Sequence, residues 1–210
     1  MTDDKKSTGL RKGLTAYGDA EFSLFLRTAF IKAMGYSDDA LARPIVGIAN
    51  TYSGYNACHQ TVPSLVEAVR RGVQQAGGPA VDFPTISLHE SFAYPTSMLY
   101  RNLMAMDTEE MLGAQPMDAV VLIGGCDKTV PAQLMAAASA KVPALVVVTG
   151  PMMTGSHRGN VWAPAPTAGA SGAGTGAARS TPKRSRRSVA GWRQPRAPAW
   201  SWARPAPWPA

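Results

Sequence analysis

Three short stretches of the chain concentrate residues able to do chemistry. Residues 50–60, N-T-Y-S-G-Y-N-A-C-H-Q, carry Asn50, Cys58 and His59; residues 87–92, S-L-H-E-S-F, carry His89 and Glu90; residues 124–128, G-G-C-D-K, carry Cys126, Asp127 and Lys128. Thiolates are soft ligands suited to iron-sulfur clusters or zinc, whereas carboxylates such as Glu90 and Asp127 are hard oxygen ligands suited to magnesium. A site using both kinds reads as two metal centres side by side.

Each residue also has a plainer reading. A single cysteine in an apolar domain is usually a small buried hydrophobe. His59 and His89 taken separately read as core or capping histidines, Glu90 and Asp127 as caps of the helices that follow, Lys128 as a surface lysine, and Gly124-Gly125 as a tight turn. Their shared position at the ends of successive strands is what favours chemistry.

Those strands are legible in the hydrophobic pattern. Pro44 to Ala49 reads as a buried strand, followed by Val62, Leu65, Val66, Val69 and Val73 at helical spacing. Phe83 to Leu88 is the second strand and Ser97 to Met106 its helix. Ala119 to Ile123 is the third, with a helix from Ala132 to Ala140, and Ala144 to Val148 is the fourth. This alternation predicts an α/β fold, a mainly parallel sheet flanked by helices. Ligands in such sheets sit beyond the carboxyl ends of the strands. Before Arg43, F-S-L-F-L-R-T-A-F-I-K-A-M forms an amphipathic helix expected to pack on the sheet or on a partner subunit. The segments are therefore 1–42, helical; 43–158, the α/β domain; and 159–210, a tail.

The tail differs chemically from the rest. All 14 acidic residues lie at or before Arg158 together with 13 basic ones, a net charge of −1, so the chain's +7 comes from the eight bases beyond it. All five tryptophans lie in the tail, and every Leu, Ile, Met, Phe and Tyr lies before it. Such a segment buries too little apolar surface to offset its ordering entropy and is expected to be disordered. One functional alternative uses it directly: S-T-P-K-R-S-R-R would track nucleic-acid phosphates while the Trp rings stack on bases. The chain has no apolar run of about 18 residues and begins M-T-D-D-K-K-S-T, without an apolar signal-peptide stretch. A cytoplasmic location is expected, with Cys58 and Cys126 reduced.

N-A-C-H, I-S-L-H-E-S-F-A-Y-P-T-S-M-L-Y-R-N-L, V-L-I-G-G-C-D-K-T-V-P-A and G-P-M-M-T-G-S-H-R-G together resemble the dihydroxy-acid and phosphogluconate dehydratase (IlvD/Edd) family, from about Leu10 to Gly159. H-E-S-F resembles its sugar-acid branch, as in arabinonate and xylonate dehydratases; the branched-chain amino-acid branch, a dihydroxy-acid dehydratase, is the alternative and usually has Asp at the position of Glu90. The resemblance implies a 2Fe-2S cluster held by Cys58, Cys126 and a third cysteine. It also implies Mg²⁺ held by Glu90, Asp127 and a carbamylated Lys128, which serves catalysis as a carboxylate-like ligand. Mg²⁺ would orient the carboxylate and 2-hydroxyl of an aldonate, a base would take the C2 proton, and the cluster iron would draw off the 3-hydroxyl as a Lewis acid, giving a 2-keto-3-deoxy acid. His59 and His89 receive no defined role. The partners implied are a small sugar-acid substrate and, as a homo-oligomer, further copies of the chain; no membrane is implied.

Family members are several times longer than the matching stretch, with the third cysteine shortly after Gly159 and a serine base in a later domain. The chain thus reads as a truncated, inactive part of the enzyme, with a change of reading frame near Gly159. In the frame that starts at the third base of each codon, the codons after Gly159 permit E-R-L-G-A-C-T-D-C-R-R, and those of residues 196–208 permit G-T-C-M-V-M-G-T-A-S-T-M, both family-like.

Overall fold

The computed structural model describes residues 8–14 and 18–150, and the backbone of 155–157 and 160–162. It divides into two units, Met1–Pro151 and Met152–Ala210. In the first, the helices are α1 (Ala20–Lys32), α2 (Asp38–Leu41), α3 (Val62–Gln75), α4 (Arg101–Ala114) and α5 (Cys126–Ala140), and the strands are β1 (Val46–Asn50), β2 (Ala80–Pro84), β3 (Ala119–Gly124) and β4 (Ala144–Val148). In the second, β5 (Gly155–His157) and β6 (Asn160–Trp162) pair antiparallel. That hairpin crosses the boundary drawn from composition at Gly159; the reading of the rest of 159–210 as disordered lies outside the described residues.

The four strands of the first unit form one parallel sheet in the order β2-β1-β3-β4. Alternation along the strands divides the core in two. Ile48, Val121 and Ile123 face the valine stripe of α3, with Val62 and Val66 fully packed and Leu65, Val69 and Val73 beside them. Ala49, Phe83, Val120 and Leu122 lie on the other face with Leu112 of α4, Ala137 and Ala140 of α5, and Leu24 and Ile31 of α1. The α3 spacing of i, i+3, i+4, i+7 and i+11 is therefore a sheet-facing stripe. Gly47 is required by this packing, because a Cβ there would sit 2.6 Å from Met117 Sδ and 3.0 Å from the Phe83 ring. The amphipathic N-terminal helix does pack on the sheet, although Phe25 and Phe30 on its other side are exposed.

Register is what matters for function. Asn50 is opposite both Pro84 and Ile123, and Gly124 is opposite Val148, so all four strands end nearly level and their exit loops crowd together.

Two element boundaries differ from the sequence reading. The second strand is Ala80–Pro84 rather than Phe83 to Leu88. Pro84 has no N–H to donate; one further bond follows it, Thr85 N–H to the Asn50 carbonyl, and then the Ile86 N–H turns to Asp107 of α4 at 2.8 Å. The helix expected from Ala132 starts six residues earlier, at Cys126, so it brings the whole C-D-K triplet into its first turn. The helix expected from Ser97 begins as a 3-10 turn, Ser97–Tyr100, before α4.

Candidate active site

Cys58 lies in a 3-10 turn, Ala57–His59, on the loop after β1, and Cys126 opens α5 directly beyond β3. The loop is held by Asn56, which is buried: its side-chain oxygen accepts the Cys58 N–H at 3.2 Å and lies 4.0 Å from Cys126 Sγ. Its amide nitrogen donates to Ser87 Oγ and the Leu88 carbonyl. Thr149, just after β4, donates its hydroxyl to the Cys58 carbonyl at 3.0 Å. Both cysteines are half-buried and free, and they are close enough for the Cys58 thiol to raise that of Cys126.

The Cys126 thiol is pushed up to about 12, first by burial, then by the Cys58 thiol and the Asp127 charge. It is protonated at neutral pH, so a metal must displace a proton to bind there. At pH 8 its thiolate is on the order of a thousandfold scarcer than that of an ordinary cysteine. A more basic thiolate is also more nucleophilic, which offsets part of this, so iodoacetamide at pH 8 should label Cys126 slower by at least about tenfold in the metal-free chain, as read by peptide mass spectrometry; labelling at the ordinary rate would contradict this. Cys126 also has φ +68°, a left-handed conformation costing on the order of 1 kcal/mol for a residue with a Cβ.

The charged half of the site lies beside it. Lys128 Nζ is 2.9 Å from Asp127 Oδ1 and 3.2 Å from Glu90 Oε2. Glu90 also accepts from the Ser97 backbone N–H at 3.0 Å and from the Ser97 hydroxyl. Its carboxyl is held down to about 2, chiefly by the Ser97 and Thr96 hydroxyls with Lys128 adding to them. Lys128 holds Asp127 below the usual carboxylate range, and Asp127 first, then Glu90, hold Lys128 above the usual lysine range. Pro131 explains how this turn is fixed. A proline inside α5 gives no N–H to the carbonyl four residues earlier, that of Asp127. Arg101 Nη2 takes that carbonyl instead at 2.7 Å, tying α4 to the turn.

The structure thus brings together Cys58 with Cys126, and Glu90 with Asp127 and Lys128, at the carboxyl edge of one sheet. It leaves others out. Asn50 shapes its own turn by accepting the Tyr52 N–H at 3.0 Å, and His89 caps the Glu90–Phe92 turn through the Ser91 N–H. Arg101 and Thr149 escape sequence reading because each acts on a residue distant in the chain, and Asn56 and Ser97 because a lone Asn or Ser in a loop reads as a turn residue. For Arg101 a signal existed, the proline five residues into α5. Among the described residues no cluster of three or more His, Cys, Asp or Glu is arranged to hold a metal ion; the lysine between the two carboxylates occupies the middle of the hard-ligand group.

Comparison with known proteins identifies the family. The family model described as dihydroxy-acid/6-phosphogluconate dehydratase, N-terminal, matches residues 43–188, well into the segment that composition sets apart. The L-arabonate dehydratase of Azospirillum brasilense is 46% identical over 144 residues, 68% of this chain and 25% of that protein. The D-xylonate dehydratase of Caulobacter vibrioides is 44% identical over 55% of this chain and 19% of its own length, and the dihydroxy-acid dehydratase of Moorella thermoacetica 40% over 62% and 25%. The chain belongs to the dihydroxy-acid/6-phosphogluconate dehydratase family, a family of hydro-lyases, and spans 19% to 25% of the length of these relatives.

Proposed function

We propose that the chain carries the cluster- and cation-binding part of a sugar-acid dehydratase, which converts an aldonate to a 2-keto-3-deoxy acid. The observation that carries this is the pairing of two soft thiols with two hard carboxylates on neighbouring strand ends of one sheet. The donor types fit the groups the family implies: Cys58 and Cys126 would supply two thiolates to a 2Fe-2S cluster, and Glu90 and Asp127 two carboxylates to Mg²⁺. Lys128 fits Mg²⁺ only once its ammonium is converted to a carbamate, because two carboxylates already hold that positive charge. When bound, such groups supply Lewis acidity to the leaving hydroxyl and to the oxygens flanking C2.

The chain's own residues prepare this. Ser97 and Thr96 keep Glu90 ionised, Arg101 fixes the Asp127 turn, and Asn56 and Thr149 fix the Cys58 turn. A sugar acid is favoured over a branched dihydroxy acid by the H-E-S-F sequence and by the higher identity to the arabonate and xylonate enzymes. The nucleic-acid alternative draws on residues outside the described ones and gains nothing from the family match.

In this reading the third cluster cysteine and the C2 base belong to sequence that a one-base correction near codon 159 restores, and the chain as written is inactive, a cytoplasmic enzyme of homo-oligomeric kind in its intact form. Reading the gene and assaying the corrected protein tests it. The corrected frame should stay open through a cysteine and a later serine, and its product, reconstituted with iron, sulfide and Mg²⁺, should form 2-keto-3-deoxy acids from aldonates. Immediate stop codons would refute the frame change; turnover of branched dihydroxy acids alone would refute the substrate.

A further inference from the structure

His59 is fully buried, yet the proposed chemistry gives it no task. Its Nδ1 lies 2.8 Å from the Thr51 carbonyl and 2.7 Å from Ser87 Oγ, and its Nε2 accepts the Gly125 N–H at 3.0 Å. Nδ1 is also 3.1 Å from Asn56 Nδ2, and Nε2 is 3.1 Å from the Gly125 carbonyl; a proton on Nδ1 serves the Thr51 carbonyl and the Gly125 N–H, a proton on Nε2 serves Asn56 and the Gly125 carbonyl, and in both tautomers Nε2 bonds the Gly125 backbone. Thr51, Ser87 and Gly125 stand at the exits of β1, β2 and β3. Gly125 directly precedes Cys126, and His59 itself directly follows Cys58.

We propose that His59 is a positioning residue whose Nε2, by holding the Gly125 backbone, sets the spacing of the Cys58 and Cys126 thiols for joint metal binding. This rests on the proposed thiol pair and deepens it. A ring serving only to fill the core would be replaced at lower cost by an apolar side chain, since burying an imidazole demands a partner for every polar atom. Here each polar atom of the ring contacts a segment leading into or out of the site. Gly125 is closely packed where it meets this ring, as a Cβ there would overlap Thr149 Oγ1, approach the Cys58 carbonyl to 3.1 Å and approach the His59 ring to 3.3 Å. His59, the Cys58 turn and Thr149 thus meet at one glycine beside Cys126.

The two arms of the ring can be removed separately. In His59→Gln the longer amide reaches the Nε2 position and its oxygen accepts from Gly125 N–H, while the Nδ1 contacts are lost. In His59→Asn the shorter amide reaches the Nδ1 position and donates to Thr51, leaving the Gly125 N–H buried without an acceptor. Cd²⁺ alone, titrated anaerobically into the full-length chain, reports the thiol pair through its ultraviolet thiolate-to-metal absorption, with circular dichroism recording the fold.

Wild type should bind one Cd²⁺ through both thiols. His59→Asn should weaken binding by about tenfold or more, the usual effect of losing a residue that orients a ligand, and His59→Gln by less than about threefold. Equal weakening in both folded variants, or none in either, would assign His59 to the core alone and overturn the proposal. If His59→Asn does not fold, His59→Gln decides by itself: retained affinity supports the role, and a loss beyond about tenfold in folded protein overturns it. Cd²⁺ uptake that is absent in wild type, or that survives Cys58→Ser and Cys126→Ser, would instead refute the thiol pair and this role with it.

Discussion

Gly125→Ala should lower stability by about 2–3 kcal/mol, the upper part of the range for forcing extra volume into a packed site. The added Cβ would overlap Thr149 Oγ1 and come within 3.1 Å of the Cys58 carbonyl and 3.3 Å of the His59 ring. Thr149 cannot simply yield, because its hydroxyl is the donor to that same Cys58 carbonyl. Three segments must therefore move, and each carries or holds a cysteine turn. Urea denaturation should show a lower midpoint with an unchanged slope. Gly113→Ala in α4 is the control: a Cβ there meets nothing within 4 Å, so its midpoint should equal or slightly exceed that of wild type. Equal midpoints for Gly125→Ala and Gly113→Ala would contradict the packing described.

Mg²⁺ affinity should depend on bicarbonate. As an ammonium Lys128 opposes a divalent ion between Glu90 and Asp127; carbamylated, by addition of the neutral amine to CO₂ with loss of a proton, it carries a negative charge instead. A unit-charge pair at 4 Å is worth about 1 kcal/mol even in bulk water, so a two-unit change facing a dication is worth about 4 kcal/mol, on the order of a thousandfold in affinity. Asp127 and Glu90 raise the lysine above its ordinary range, which keeps it protonated at neutral pH. Since only the neutral amine reacts, the bicarbonate effect should grow as pH rises. Calorimetric Mg²⁺ titrations with and without bicarbonate measure this. Lys128→Arg, cationic but unable to form the carbamate, should bind weakly under both conditions; a bicarbonate effect that persists in Lys128→Arg would contradict the assignment.

Much of this architecture is written in local pattern. Ala119 to Gly124 and the α3 valines state their environment because burial on both faces of a strand, or on one stripe of a helix, leaves a periodic trace. The positions of Cys58, Glu90, Cys126, Asp127 and Lys128 in strand-end loops are legible in the sequence, and the parallel register explains why strand ends converge. The failures have physical reasons too. The second strand reads late because Ile86 and Leu88 look like strand residues, whereas Pro84 and the pull of Asp107 on Ile86 end the ladder. The early start of α5 was hidden because Gly124-Gly125 reads as a turn that should delay a helix. His59 was the least legible of all, since its partners lie at Thr51, Ser87 and Gly125 and no spacing in the chain announces them.

The central claim is that Cys58 and Cys126 are cluster ligands in a chain that supplies only two of the thiolates required. Anaerobic reconstitution with ferrous iron and sulfide, followed by iron and sulfide analysis after gel filtration, tests it most directly. Wild type should develop a visible iron-sulfur absorption that is absent when both cysteines are replaced by serine, and that absorption should be lost on the column because the missing anchor leaves the cluster open to solvent. Stoichiometric iron and sulfide eluting with the chain, or equal absorption from the double serine variant, would contradict the account.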